Sequence, residues 1–382
     1  MNRRIAIVGL ALALCAASAA AQTGSATAPG ADAAARPGEV TVSILDVGQG
    51  DAILVQSPEG KTALIDAGPS HHVVSMLKRR GVTSLDLVVL SHHHADHYGG
   101  MADAIRAFRP RFFLASTSAQ TSPQYLRLLE LVRDQKITAL QPQPTPRRLE
   151  LGSVVLTVFP RAPADPHEEN NNSVGLRLQY GCFSVLLPGD AEQTERQWWE
   201  RGDPALCADC TVLKLAHHGS RNGTDAAWLD LVRPQLAVAS LGKANDYGHP
   251  HAETLALLAR HRVPLLRTDV DGTVVIESDG RRWRVYHEPT IPSDAIASAR
   301  PAPAHHSPRR VPRHEGEATP RPRRIDVNTA SVEQLMTLPG IGPVLARRIV
   351  AGRPYAALDD LRRVEGIGEK RLAEIRPHVT AR

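Results

Sequence analysis

Hydrophobic and polar positions follow three regimes along this chain. At the N-terminus Arg3 and Arg4 precede an apolar run from Ile5 to Ala17, then small residues at Ala19, Ala20 and Ala21. That order is the pattern of an export signal cleaved before Gln22. The run is too short and too rich in small residues to make a good membrane span. Residues 22–38, rich in Gly, Ala, Pro and Thr, read as a linker. From Glu39 onward short apolar runs alternate with turn residues. Thr41–Leu45, Ala52–Val55 and Thr62–Ile65 predict strands, and Val73–Arg80 a helix closed by Gly81. Leu85–Leu90 predicts a buried strand. Further strands are expected at Val154–Phe159, Val174–Gln179, Phe183–Leu187, Val212–Leu215 and Leu236–Ala239. Helices are expected at Ala191–Glu200, Ala226–Val232 and Ala252–Arg260, with a closing hairpin of Thr273–Ile276 and Trp283–Tyr286. The alternation suits a layered α/β domain over residues 39–288, with its site at strand ends. Periodicity stops over 289–324, where Pro, Arg, Ala and His predominate, as in a disordered basic linker. It resumes at Ile325 as a small helical domain, 325–382.

Charge sharpens this division. The net charge is +5, yet residues from Pro301 onward carry 15 Lys and Arg against 9 Asp and Glu, so the remainder is nearly neutral. A basic tail points to a polyanionic partner. Aromatic residues are only 4%, so stacking platforms for single-stranded nucleic acid look scarce. Beyond the signal three cysteines remain. Cys207-Ala-Asp-Cys210 lacks the second pair of a four-ligand zinc site, and reads as a local disulfide in an oxidising compartment. Cys182, in an apolar run, reads as a core residue.

The candidate chemistry lies at strand ends. Ser91-His92-His93-His94-Ala95-Asp96-His97 directly follows the Leu85–Leu90 strand and precedes Gly99-Gly100 and an apparent helix. Alternate residues His92 and His94 can point the same way. Imidazole and carboxylate together suit borderline divalent cations. The strand Val212–Leu215 likewise delivers His217 and His218, and Leu186-Leu187-Pro188-Gly189 delivers Asp190.

The pattern His92-x-His94-x-Asp96-His97 resembles the signature of the metallo-β-lactamase superfamily in its hydrolase and nuclease branch. More narrowly, residues 40–287 resemble the soluble domain of ComEC-type DNA-uptake proteins. The matching stretches are 44–52, 64–68, 91–100, Asn171-Asn172-Ser173, Pro188-Gly189-Asp190, 214–220 and 245–250. The transmembrane channel of those proteins is absent from this sequence. The resemblance implies an αββα sandwich and two divalent metal ions, zinc or manganese. It implies His92 and His94 on one ion. Asp96, His97 and one of His217 and His218, taken here as His217, would hold the other, with Asp190 bridging. Asp66 would buttress the site. Asp96, His218 and His249 would serve catalysis, the two histidines at the substrate phosphate. Many members use a further histidine on the loop before Asp190. Here that loop reads Asp165-Pro166-His167-Glu168-Glu169-Asn170-Asn171-Asn172-Ser173, and its ligand stays open.

The tail carries two Gly-hinged turns 26 residues apart, Leu338-Pro339-Gly340-Ile341-Gly342-Pro343 and Val364-Glu365-Gly366-Ile367-Gly368-Glu369. Such glycines let backbone N–H groups approach a phosphate. Arg347, Arg348, Lys370 and Arg371 follow them. The tail resembles the tandem helix-hairpin-helix of ComEA-type DNA receptors, which implies sequence-independent DNA binding. The combined expectation is a periplasmic or secreted DNA phosphodiesterase, with the DNA-uptake machinery as a partner. Two other readings stay open: a DNA-binding competence accessory without catalysis, and a small-molecule metallo-hydrolase.

Overall fold

The structure, a computed structural model, describes residues 38–116, 122–243, 245–288, 325–330, 335, 338, 341 and 343–381. The expected export signal, nearly all of the linker at 22–38, the basic linker at 289–324, Gly340 and Gly342 lie outside the described residues. The chain divides into two compact units, 1–300 and 301–382.

In the first unit the strands are β1 (Val40–Ile44), β2 (Ile53–Gln56), β3 (Thr62–Ile65), β4 (Leu87–Leu90), β5 (Phe112–Ala115), β6 (Thr138–Leu140), β7 (Arg147–Leu151), β8 (Val154–Val158), β9 (Leu176–Tyr180), β10 (Phe183–Leu187), β11 (Val212–Lys214), β12 (Leu236–Ala239), β13 (Leu265–Arg267), β14 (Thr273–Ser278) and β15 (Trp283–Glu288). They form two sheets, of order β15-β14-β1-β2-β3-β4-β5-β6 and β13-β12-β11-β10-β9-β8-β7. Strands β3 to β6 run parallel, as do β10 to β13. Parallel neighbours need crossovers. In the first sheet these carry α1 (His72–Arg79), α2 (Ala95–Tyr98), α3 (Met101–Phe108) and α4 (Pro123–Asp134); in the second, α5 (Gln193–Gly202), α6 (Ala226–Val232) and α7 (Ala252–His261). A short α8 (Thr268–Asp271) leads into β14. Among the described residues no helix is long and apolar enough to cross a membrane.

The period of two along each strand divides the core. Val40, Val42, Ile44, Ile53, Val55, Ala63, Ile65, Leu87 and Val89 meet Val185, Leu187, Val212, Leu236 and Val238 between the sheets. Their alternates Leu54, Leu64, Val88, Leu90 and Phe113 pack with residues of α1, α3 and α4. Leu186, Leu213, Ala237 and Ala239 pack with residues of α5, α6 and α7. Strands buried on both faces read as unbroken apolar runs for this reason. The result is a helix–sheet–sheet–helix sandwich.

Two cysteine expectations are corrected. Cys207 and Cys210 are free and buried, packed into the cluster under α5–α7, with the Cys210 Sγ directed at the Val212 carbonyl, 3.3 Å away. Burial pushes both thiols up to about 12. Cys182 is exposed rather than buried, because it occupies the turn between β9 and β10 beside Gly181 at φ +57°.

The second unit comprises β16 (Ile325–Asp326), α9 (Pro343–Ala351), a 3₁₀ segment at Leu358–Arg363, α10 (Glu369–Ile375) and β17 (Val379–Thr380), which pairs parallel with β16. Val327, Leu335, Leu345, Ile349, Leu361, Leu372 and Ile375 share its core. Asn328 clamps the chain, donating to the Tyr355 carbonyl at 2.9 Å and accepting from its N–H at 2.8 Å.

Trp199 anchors the layer of α5. It is fully buried, stands edge-on to Phe159 with centroids 5.1 Å apart, and donates to the Pro160 carbonyl at 3.1 Å. Trp199→Ala is expected to cost about 3–5 kcal/mol, measured as the shift of the first unit's urea transition.

Candidate metal centre

Five strands end, and a sixth begins, at one edge of the sandwich. After β3 comes Asp66; after β4, Ser91 to His97; after β10, Asp190; after β11, His217 and His218; after β12, Ser240. Asp51 precedes β2, which runs antiparallel to β3 and so starts at this edge.

Asp66 organises the first group. Its two carboxylate oxygens accept from the Ser91 N–H and Oγ, each at 2.7 Å. His97 Nδ1 lies 2.8 Å from Oδ2, which turns His97 Nε2 toward the cluster. Nε2 lies 3.3 Å from Asp190 Oδ2 and 3.9 Å from Asp96 Oδ2. His218 Nε2 lies 3.3 Å from both Asp190 Oδ2 and Asp96 Oδ2, while its Nδ1 lies 2.8 Å from the Ser240 carbonyl. His92 Nε2 stands 3.9 Å from Asp190 Oδ2 and 3.1 Å from His94 Nδ1. Thus His92, His94, Asp96, His97, Asp190 and His218 come together, with Asp66 behind His97.

The structure corrects one assignment. His217, expected among the ligands, stays outside this group, its Nδ1 2.9 Å from Glu192 Oε1. The cause is local: His217 and His218 are both left-handed, at φ +48° and +55°, and this turn sends consecutive rings to different neighbours. His218 takes the inner place. His249 lies at the margin, its ring 5.3 Å from that of His217 and 6.2 Å from that of His218. His167 is exposed and outside every candidate ligand group. The neighbouring asparagines hold their own loop: Asn172 Nδ2 donates to the Asp165 carbonyl at 2.9 Å, and Asn171 Nδ2 to Asp165 Oδ2 at 3.2 Å.

Two residues given no role in the sequence reading complete the centre. Lys214 and Asp51 are both buried and form an ion pair. Lys214 Nζ also lies 3.5 Å from Asp190 Oδ1. A lysine inside the apolar strand β11 and an aspartate closing the Gly48–Gly50 turn were the available signals.

The field here is strong. Burial alone would depress the imidazoles of His97 and His218. The carboxylates of Asp190 and Asp66 around His97, and of Asp190 and Asp51 around His218, outweigh it and hold both well above the usual histidine value. Burial likewise opposes ionisation of Asp190, yet His218, His97 and Lys214 keep its carboxyl well below the ordinary range. Burial, then His217 and His218, bring His249 down to about 4. Asp51 Oδ1, His97 Nε2, Asp190 Oδ1 and His218 Nε2 are buried without hydrogen-bond partners. The groups His92–His97–Asp190, Asp96–His97–His218 and Asp51–Asp190–His218 each hold donor atoms within 4.8 Å of one another. Orphaned buried donors converging in this way fit divalent cations.

Comparison with known proteins agrees. The family model of the metallo-beta-lactamase superfamily matches residues 45–243, so the chain belongs to that superfamily. A helix-hairpin-helix motif model matches 322–380. ComE operon protein 3 of Bacillus subtilis is 30% identical over 257 residues, covering 62% of this chain and 33% of that protein. Competence protein ComA of Neisseria gonorrhoeae is 29% identical over 246 residues, covering 62% and 32%. A protein named deoxyribonuclease from Thioalkalivibrio is 50% identical over 52 residues, 14% of each chain. The chain thus spans about a third of the length of the competence proteins it matches.

A glycine pair tests how tightly the Asp96 loop is seated. At Gly50, φ +131°, an added Cβ would meet the Asp96 carbonyl oxygen at 2.1 Å; at Gly48, φ +82°, it would meet nothing within 4 Å. Gly48→Ala is expected to cost about 1 kcal/mol of backbone strain. Gly50→Ala should cost clearly more and lower bound metal; equal melting temperatures for the two variants would contradict this packing.

Proposed function

We propose that this protein is an exported metal-dependent phosphodiesterase that hydrolyses DNA, held to its substrate by the helix-hairpin-helix tail. The observation that carries the reading is the convergence of six histidine and aspartate side chains, His97, Asp190 and His218 among them with buried atoms that lack a hydrogen-bond partner, in one chain with a DNA-binding motif. The competence proteins among its relatives support a DNA-uptake setting, and the pattern of residues 1–21 supports a periplasmic or secreted location.

His92, His94 and Asp190 would hold one divalent ion, and Asp96, His97 and His218 the other, Asp190 facing both. Two such ions, zinc or manganese, supply the Lewis acidity that phosphate-ester hydrolysis requires. The chain's own groups do the rest. Asp66 fixes the His97 ring, and the Ser240 carbonyl that of His218, so their Nε2 atoms stay directed inward. Lys214 offsets the charge of Asp51 and Asp190, which lets three buried carboxylates share one site. His249, kept neutral by its surroundings, would donate its ring N–H to a phosphoryl oxygen.

In the tail, Arg348 Nη1 donates to the Glu365 carbonyl at 2.9 Å and Arg371 Nη1 to the Gly366 carbonyl at 2.6 Å. Both arginines brace the second hairpin, where Gly366 at φ +97° and Gly368 form the turn. The side chains of Arg347 and Lys370 lie outside the described residues. A hairpin braced in this way suits backbone contact without base readout. Placing it in the same chain raises the effective DNA concentration at the metal centre.

Plasmid and single-stranded DNA should be cut by purified residues 22–382 with manganese or zinc, and Asp96→Ala should lose at least a hundredfold in rate together with part of its bound metal. A variant as fast as the parent would overturn the site assignment. DNA affinity should fall steeply as salt rises from 50 to about 200 mM, read by fluorescence anisotropy; a flat response would remove the tail as the DNA anchor.

A further inference from the structure

Tyr247 is the one Phe, Trp or Tyr ring exposed among the described residues, at 62%. It stands beside the metal centre. One face stacks on His249, centroids 5.7 Å apart and planes at 22°, and its phenol lies close enough to Asp96 and His218 to feel both charges. Burial of one side, followed by the carboxylate of Asp96, holds the phenol above its ordinary value.

An exposed aromatic on a loose turn would be unremarkable, but this turn is fixed. Asn245 accepts the His249 N–H at 2.9 Å through Oδ1, and through Nδ2 donates to the carbonyls of His249 at 2.9 Å and Gly242 at 3.3 Å. Gly248 at φ +72° closes the loop. His249 is itself buried, with Nδ1 unpartnered. The ring of Tyr247 is therefore stacked on His249 in a braced turn while the residue stays largely exposed. Leaving such an apolar face in water is unfavourable unless something covers it.

Resting on the phosphodiesterase reading, we propose that Tyr247 is a stacking platform for the nucleobase next to the scissile phosphate, which makes an unpaired strand, or a frayed duplex end, the preferred substrate. The geometry favours a base because a flat π-face parallel to His249 extends an existing stack by one layer. A base inside a duplex is already stacked on both faces and cannot occupy this position; an unpaired one can. Stacking is indifferent to base identity, because every base has a π-face.

The test is a cycle of two changes in the full-length protein. Tetranucleotides with either a base or an abasic sugar beside the scissile phosphate are compared in the parent, Tyr247→Phe and Tyr247→Leu. Each is measured as KM for cleavage, and as Kd in the cleavage-deficient Asp96→Ala background. Affinity of the tail is common to all arms and cancels. Removing the base should raise KM and Kd roughly tenfold or more in the parent and in Tyr247→Phe, and hardly at all in Tyr247→Leu. Additive losses in Tyr247→Leu would overturn the stacking role even if DNA is cleaved normally. Coupled losses in Kd with no cleavage by any form would retain the platform and refute the phosphodiesterase reading. A merely structural role for Tyr247 would lower both substrates alike and so give the additive result.

Discussion

The carboxylate of Asp66 governs the arrangement of the centre. Buried at the end of β3, it takes two hydrogen bonds from Ser91 and holds Nδ1 of His97. Those contacts tie the ends of two parallel strands together and decide which nitrogen of His97 faces inward. Burial raises its pKa, and the charge on His97 works against that rise. Once His97 is fixed, Asp190 has a partner across the gap between the sheets, and His218 and Lys214 gather around Asp190 in turn. A carboxylate at this depth is tolerated only because each of its oxygens has a donor. The cluster is therefore one coupled network, in which the loss of any member leaves another charge buried and unmatched.

Most of the sandwich was legible because burial on both faces leaves a plain trace. β1, β2, β3, β4, β10, β11 and β12 are short apolar runs, and no other use of such runs fits between turns. What escaped notice fails that rule. β6 and β13 are three residues long and only partly buried, β7 reads Arg-Arg-Leu-Glu-Leu, and α4 mixes Arg, Glu and Leu on a surface layer. β5, Phe112–Ala115, is only four residues long, too short for its apolar run to set a period.

At the candidate metal centre, residue types at strand ends pointed to the side chains that cluster there, but backbone dihedrals chose between neighbours. Nothing in the pair His217-His218 says which ring turns inward; two successive left-handed residues decide it. Asp51 and Lys214 were hidden for a different reason. Each is a single charge, and its role exists only because strands from opposite sheets bring the two together. Aromatic residues are few, and composition says nothing about where Tyr247, the one exposed Phe, Trp or Tyr among the described residues, stands.

The left-handed pair at 217 and 218 has a consequence for which sequences this loop can accept. Positive φ is open to glycine and, among the rest, chiefly to asparagine, aspartate and histidine. Both positions are thus filtered by the backbone before any contact of their side chains is counted. Random replacement at 217 would return mostly glycine and asparagine, and would exclude valine, isoleucine and threonine whatever their effect on the neighbouring glutamate. A short list of tolerated residues at 217 would then report first on the shape of the chain.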